Sequence, residues 1–338
     1  MDGTPRILIG VAGSPGTTTG RGEPGDAARE PESLIVTVDS GERLHVLDWR
    51  PEGGGAPGAP SSDAPAILLL HGLQATAWTW APVARRLART WRVLTPDLRG
   101  HGLSEAPRSG YELDSLAYDA LTIASAAGFG LDVGGPPLVL AGHGLGALVA
   151  GTAARLRPAS VRALALVDAG WETMPEATGM DADELLRSLA DPPEVLRSMA
   201  AYLADRRDYD PDSWDGDQER AARAAVDEKY EGRVVPLVRR YALAALVRAM
   251  YDYRPADVFG TVDVPMLVVV AEAGGADDEA ARERRLALQD QLQARQAAGL
   301  PAPRVVRFAG VGHNLMRYRP RELAAELEAL LDQHGGAP

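Results

Sequence analysis

Short, uninterrupted apolar runs alternate with longer amphipathic stretches along most of this 338-residue chain. Ala66–Leu70 reads Ala-Ile-Leu-Leu-Leu, with no polar residue to turn toward water. A strand of that kind must be covered on both faces, the condition of a parallel sheet flanked by helices. The same pattern predicts strands over 92–95, 138–141 and Val161–Val167, and helices over 80–90, 113–127 and Leu145–Leu156. Upstream, 34–38 and 44–49 read as two strands joined by the turn Asp39-Ser40-Gly41-Glu42. Strands alternating with helices predict an α/β fold.

The alternation stops at Gly170 and resumes at Pro265. Residues 171–256 hold no convincing buried strand; they are charged and helical, with aromatics from Trp171 to Tyr253. A strand over 265–271, a long charged helix over 278–298, a strand over 305–308 and a closing helix over 321–331 follow. The long helix is read as a solvent-exposed flank of the sheet. The expected organisation is a flexible tail over 1–33, a core over 34–170 and 257–334, and an inserted helical cap over 171–256. The Gly-rich run at residues 10–19 lacks the lysine of a phosphate loop and is followed by Arg-Gly-Glu-Pro-Gly, so it is assigned to the tail.

Composition excludes several functions. A net charge of -12 disfavours a phosphate-backbone or anionic membrane partner. The absence of cysteine removes disulfides, thiolate nucleophiles and cysteine-ligated metals. No segment approaches the roughly 18 consecutive apolar residues of a membrane span. The N-terminal apolar run, from Ile7 to Val11, is too short for a signal sequence. These features lead us to expect a cytoplasmic protein with no nucleic-acid or membrane partner.

Four loops at strand ends carry candidate chemistry. They are His71-Gly72-Leu73-Gln74, Asp97-Leu98-Arg99-Gly100-His101-Gly102-Leu103-Ser104, Gly142-His143-Gly144-Leu145-Gly146 and Gly312-His313-Asn314. Open α/β sheets bind ligands at this edge. In this order, on these strands, the loops resemble those of the α/β-hydrolase superfamily, in the branch with a helical cap, over residues 34–333. The resemblance implies a mostly parallel eight-stranded sheet flanked by helices.

It also implies a set of site residues. Gly142 and Gly146 flank the turn on which the family exposes its nucleophile, and the position between them is Gly144, which has no side chain to attack with. His313 occupies the place of the general base. The acid falls to Asp168, at the end of the strand before the cap, with Asp277 as the alternative. The backbone N–H groups of Leu73 and Leu145 would form the oxyanion hole. His71 and His101 sit in glycine-flanked turns and are read as structural, His143 as packed beside the turn, and His45 and His334 as surface residues. No pair has metal-ligand spacing on one helix face, so neither a metal nor a cofactor is expected. Two readings stay open: an enzyme acting on a small, mostly apolar ester, lactone or carbonyl substrate, and a non-catalytic small-molecule binder on a hydrolase scaffold.

Overall fold

The computed structural model describes residues 7–8, 30–51, 66–189, 198–230, 232–273 and 279–334. Its strands are β1 (Ile7–Leu8), β2 (Glu32–Thr37), β3 (Arg43–Trp49), β4 (Ala66–Leu70), β5 (Arg92–Pro96), β6 (Leu138–His143), β7 (Val161–Val167), β8 (Val226–Tyr230), β9 (Arg233–Pro236), β10 (Met266–Glu272) and β11 (Arg304–Ala309). The helices are α1 (Ala81–Leu87), α2 (Leu113–Ala126), α3 (Leu145–Leu156), α4 (Met174–Thr178), α5 (Ala182–Ser188), α6 (Met199–Tyr209), α7 (Gly216–Ala224), α8 (Arg240–Tyr251), α9 (Pro255–Phe259), α10 (Glu279–Ala297), α11 (Leu315–Tyr318) and α12 (Pro320–His334). Among the described residues, no helix is long and apolar enough to cross a membrane.

The main sheet has the order β1-β2-β3-β5-β4-β6-β7-β10-β11. The pairs from β5 through β4, β6, β7 and β10 to β11 are parallel, and those among β1, β2, β3 and β5 are antiparallel. This is the expected eight-stranded sheet, with Ile7–Leu8, in the stretch read as a tail, added at one edge. Period-two alternation divides β4 between two cores. Leu68 and Leu70 face α2, α3 and α9, whereas Ile67 and Leu69 face α1 and α12.

Three sequence expectations need correction. The insertion is not wholly helical, because β8 and β9 form a separate antiparallel hairpin. Helix α10 is not a simple exposed flank. Leu288 and Arg295 are buried, and the Arg295 guanidinium donates to the carbonyls of Phe259, Val262, Val264 and Pro301. His45 is not a surface residue. It is 2% exposed, donates from Nδ1 to Asp97 at 2.8 Å and meets Ser33 Oγ through Nε2 at 2.9 Å. Burial opposes the Asp97 charge, but the His45 contact and the Ala77 N–H hold its carboxyl below the usual range.

One turn fixes where the site can form. Between β6 and α3 the chain passes through Gly144 with φ 55° and ψ -122°. A Cβ at Gly142 would collide with the Gly146 carbonyl, and a Cβ at Gly146 with the Leu70 carbonyl on β4. Backbone atoms cannot swing aside as a flexible side chain can, so both positions require glycine. Gly146→Ala is expected to destabilise the fold by at least ~3 kcal/mol. Gly216→Ala, on α7 with open space at its Cβ position, should change stability by less than about 1 kcal/mol. Urea unfolding of the two variants provides the comparison.

Candidate active site

The sheet edge brings together residues from loops distant in sequence. His313 follows β11, Asp168 follows β7, and Gly144 follows β6. His313 Nδ1 lies 2.7 Å from Asp168 Oδ2. The other ring nitrogen, Nε2, lies 3.4 Å from where a Cβ on Gly144 would stand, and Gly72 Cα lies 3.5 Å from that point. The sequence-derived base, acid and elbow glycine therefore converge. Asp277 falls outside the described residues, as does the side chain of His334.

Asp168 is held in an unusual state. Its φ of 51° is left-handed, which costs an L-residue about 1–2 kcal/mol. Its side chain is buried. Oδ1 accepts from the Ala271 N–H at 2.8 Å and from Arg284 Nη2 at 3.1 Å. Burial opposes ionisation, but the His313 hydrogen bond, the Arg284 charge and the Ala271 amide outweigh it and keep the carboxyl below its ordinary range. Arg284 also donates from Nε to Glu172 Oε1 at 2.8 Å and lies over the buried Trp171 ring at 5.0 Å. Burial pushes the Glu172 carboxyl up, against the pull of Arg284. Neither Arg284 nor Glu172 was identified from the sequence. Arg284 is one of several arginines in a charged helix, and nothing local distinguishes it.

The remaining histidines build the walls. His143 donates from Nε2 to the His313 carbonyl at 2.8 Å, and the two rings pack with centroids 4.2 Å apart. His71 Nδ1–H donates to the Gly72 carbonyl, and its Nε2 accepts from the Leu98 N–H. His101 donates to the Arg99 carbonyl and accepts from the Gln74 N–H. Both rings thus pin the loop that carries Leu73. Among the described residues, neither the Leu73 nor the Leu145 N–H donates to another protein group. Leu145 opens α3, where the first N–H groups have no partner within the helix.

A cavity of about 430 Å³ opens beside Gly144 and His313. Leu148, Met174, Met250, Val270 and Val311 lie in its apolar wall, so α4 and α8 contribute to it beside the sheet and α3.

Residues 67–326 match the Alpha/beta hydrolase family, and the chain belongs to it. A 2-(acetamidomethylene)succinate hydrolase of Mesorhizobium japonicum is 29% identical over 230 residues, 68% of this chain and 78% of that protein. Human epoxide hydrolase 4 is 31% identical over 132 residues, 38% of this chain and 32% of that protein. Among solved structures, that of E-2-(acetamidomethylene)succinate hydrolase superposes with a TM-score of 0.69 at 23% identity, covering 89% of this chain and 98% of that one. A thioesterase domain from the curacin biosynthetic pathway gives 0.63 at 21% identity, covering 89% and 99%. At these identities the superpositions establish the fold alone.

The buried histidines make stability depend on acid. Burial, aided by a neighbouring ring, lowers His101 and His143 to about 3, and burial lowers His71 in the same direction. In the unfolded chain a histidine takes its proton near pH 6.5. Below that pH the unfolded state binds protons that the folded state refuses, so each ring costs about 1.4 kcal/mol per pH unit until its folded value is reached. Asp168 adds to the loss in the carboxylate range, because a depressed carboxyl stabilises only while ionised. The urea midpoint should fall steeply from pH 6.5 to pH 5, and His101→Gln should flatten that slope. A midpoint independent of pH over this interval would contradict the assignment of neutral rings.

Proposed function

We propose that the chain is an enzyme of hydrolase type that acts on a small, mostly apolar ester, lactone or other carbonyl compound without a protein nucleophile. Gly144 stands where the family exposes its serine. The missing hydroxymethyl leaves room for a water molecule beside His313. His313, oriented by Asp168, takes a proton from that water as it attacks the carbonyl carbon. The N–H groups of Leu73 and Leu145 receive the developing negative charge, aided by the N-terminus of α3. His313 then returns the proton to the leaving oxygen.

The observation that carries this reading is the orientation of His313. One ring nitrogen is bonded to Asp168 at 2.7 Å, and the other stands 3.4 Å from the Cβ position of Gly144. The cavity supports an uncharged substrate. Its carboxylates, Asp168, Glu172 and Glu272, outnumber the guanidinium groups of Arg284 and Arg285. Arg284 is already paired with two of those acids, and Arg285 lies 4.0 Å from the third. A substrate with free carboxylates, such as the succinate named for the Mesorhizobium relative, is therefore disfavoured.

Turnover of p-nitrophenyl acetate and butyrate tests the reading. The wild-type protein should release nitrophenol without a burst. His313→Ala should lower kcat at least ~10²-fold, and Asp168→Asn by up to about 10⁴-fold, since the amide favours the wrong imidazole tautomer. Gly144→Ser should introduce a burst from an acylated serine. Wild-type and His313→Ala rates that coincide would remove the basis for catalysis. An inert wild type beside an active Gly144→Ser would exclude direct water attack on these esters and favour a binding role.

A further inference from the structure

We propose that Arg284 is a positioning residue, holding Asp168 in the one conformation from which its carboxylate can orient His313. The proposal rests on the reading of His313 and Asp168 as the working pair. Asp168 is the residue of that pair under strain, with φ at 51°. Its orienting bond to His313 uses Oδ2, so the rest of the residue must be fixed by other groups. Arg284 Nη2 does this from two sides, reaching Oδ1 at 3.1 Å and the Asp168 backbone carbonyl at 3.4 Å. A single donor thus spans the side chain and main chain of the strained residue.

The guanidinium is itself immobilised. Its Nε is bonded to Glu172, and its Cζ lies over the ring of the fully buried Trp171, 5.0 Å from the centroid. A planar fork suits this arrangement, because it offers separate N–H groups in fixed directions to two carboxylates. Without the cation, Asp168 and Glu172 would be two buried acids facing each other. Oδ1 would retain only the Ala271 amide. Asp168 could then leave its left-handed conformation and take the His313 bond with it. Arg284 shapes the pair without contacting the reacting atoms.

The test compares wild type with Arg284→Met and Arg284→Lys. Two-bond ¹H–¹⁵N correlation spectra of the imidazoles report which ring nitrogen carries the proton, whether or not that proton exchanges with water. His313→Gln assigns the signal. Neutral His313 should be the Nδ1–H tautomer in wild type, a mixture in Arg284→Met, and largely Nδ1–H again in Arg284→Lys. For any nitrophenyl ester turned over, kcat of Arg284→Met should fall on the order of 10-fold or more while KM changes less than about twofold. An unmixed Nδ1–H signal in Arg284→Met overturns the proposal even if turnover or stability falls. So does a wild-type protein that lacks that tautomer. Because the spectrum needs no substrate, a protein without esterase activity still tests Arg284, and the two ideas fail separately. If Arg284→Met does not fold, Glu172→Gln releases the outer anchor of the guanidinium and leaves Asp168 intact. Partial mixing of the His313 tautomers is expected there, and an unmixed Nδ1–H signal overturns the proposal.

Discussion

The carbonyls at the end of β4 approach the turn between β6 and α3 so closely that no side chain fits between them. This contact sets the height at which α3 begins above the sheet. It places the first amide of α3 beside the loop after β4, and it leaves Gly144 standing clear in a left-handed conformation. The rest of the site is positioned against that turn. His313 arrives from β11 and Asp168 from β7, and each is useful only because the turn is where it is. The two flanking glycines are thus demanded by packing, whatever residue lies between them.

The proposed base and acid are side chains, whereas the proposed stabilisation of negative charge lies in the main chain. That division accounts for the role of the buried histidines. His71 and His101 hydrogen-bond to backbone groups, and they tie the loop carrying Leu73 to the loop after β5. His143 carries the same principle to the other wall by gripping the His313 carbonyl. A neutral imidazole is well suited to this work, since one ring can donate at one edge and accept at the other.

Where burial wrote a pattern, the sequence could be read. Ala66–Leu70 and Val161–Val167 announce themselves because both faces are covered, and the order of loops then brings Gly144 and His313 to one edge. Where polar residues lie inside, the pattern misleads. His45 sits between two apolar neighbours and looks like the outward position of an alternating strand, yet Asp97, in the loop after β5, gives it a buried partner. The β8–β9 hairpin reads Val-Asp-Glu-Lys-Tyr on its first strand, with no apolar face to reveal it. The family resemblance favours Asp168 with Asp277 as the alternative, and sequence takes the choice no further, because it depends on which loop reaches His313. Arg284 left no local mark at all, since its partners come from a different part of the chain.

Helix α10 shows how a charged helix can have only one rotational register. Arg284 and Arg295 are eleven residues apart, about three turns, so they project from nearly the same side of the helix and stand roughly 16 Å apart along its axis. One ends among the acids of the cavity, and the other among four backbone carbonyls near the opposite end of the helix. Turning the helix by a single residue would withdraw both from their partners together. The carbonyl cluster around Arg295 therefore acts as a key at a distance: it indexes the angle at which Arg284 enters the site, and it ties the geometry of the cavity to a part of the fold outside the cavity's own wall.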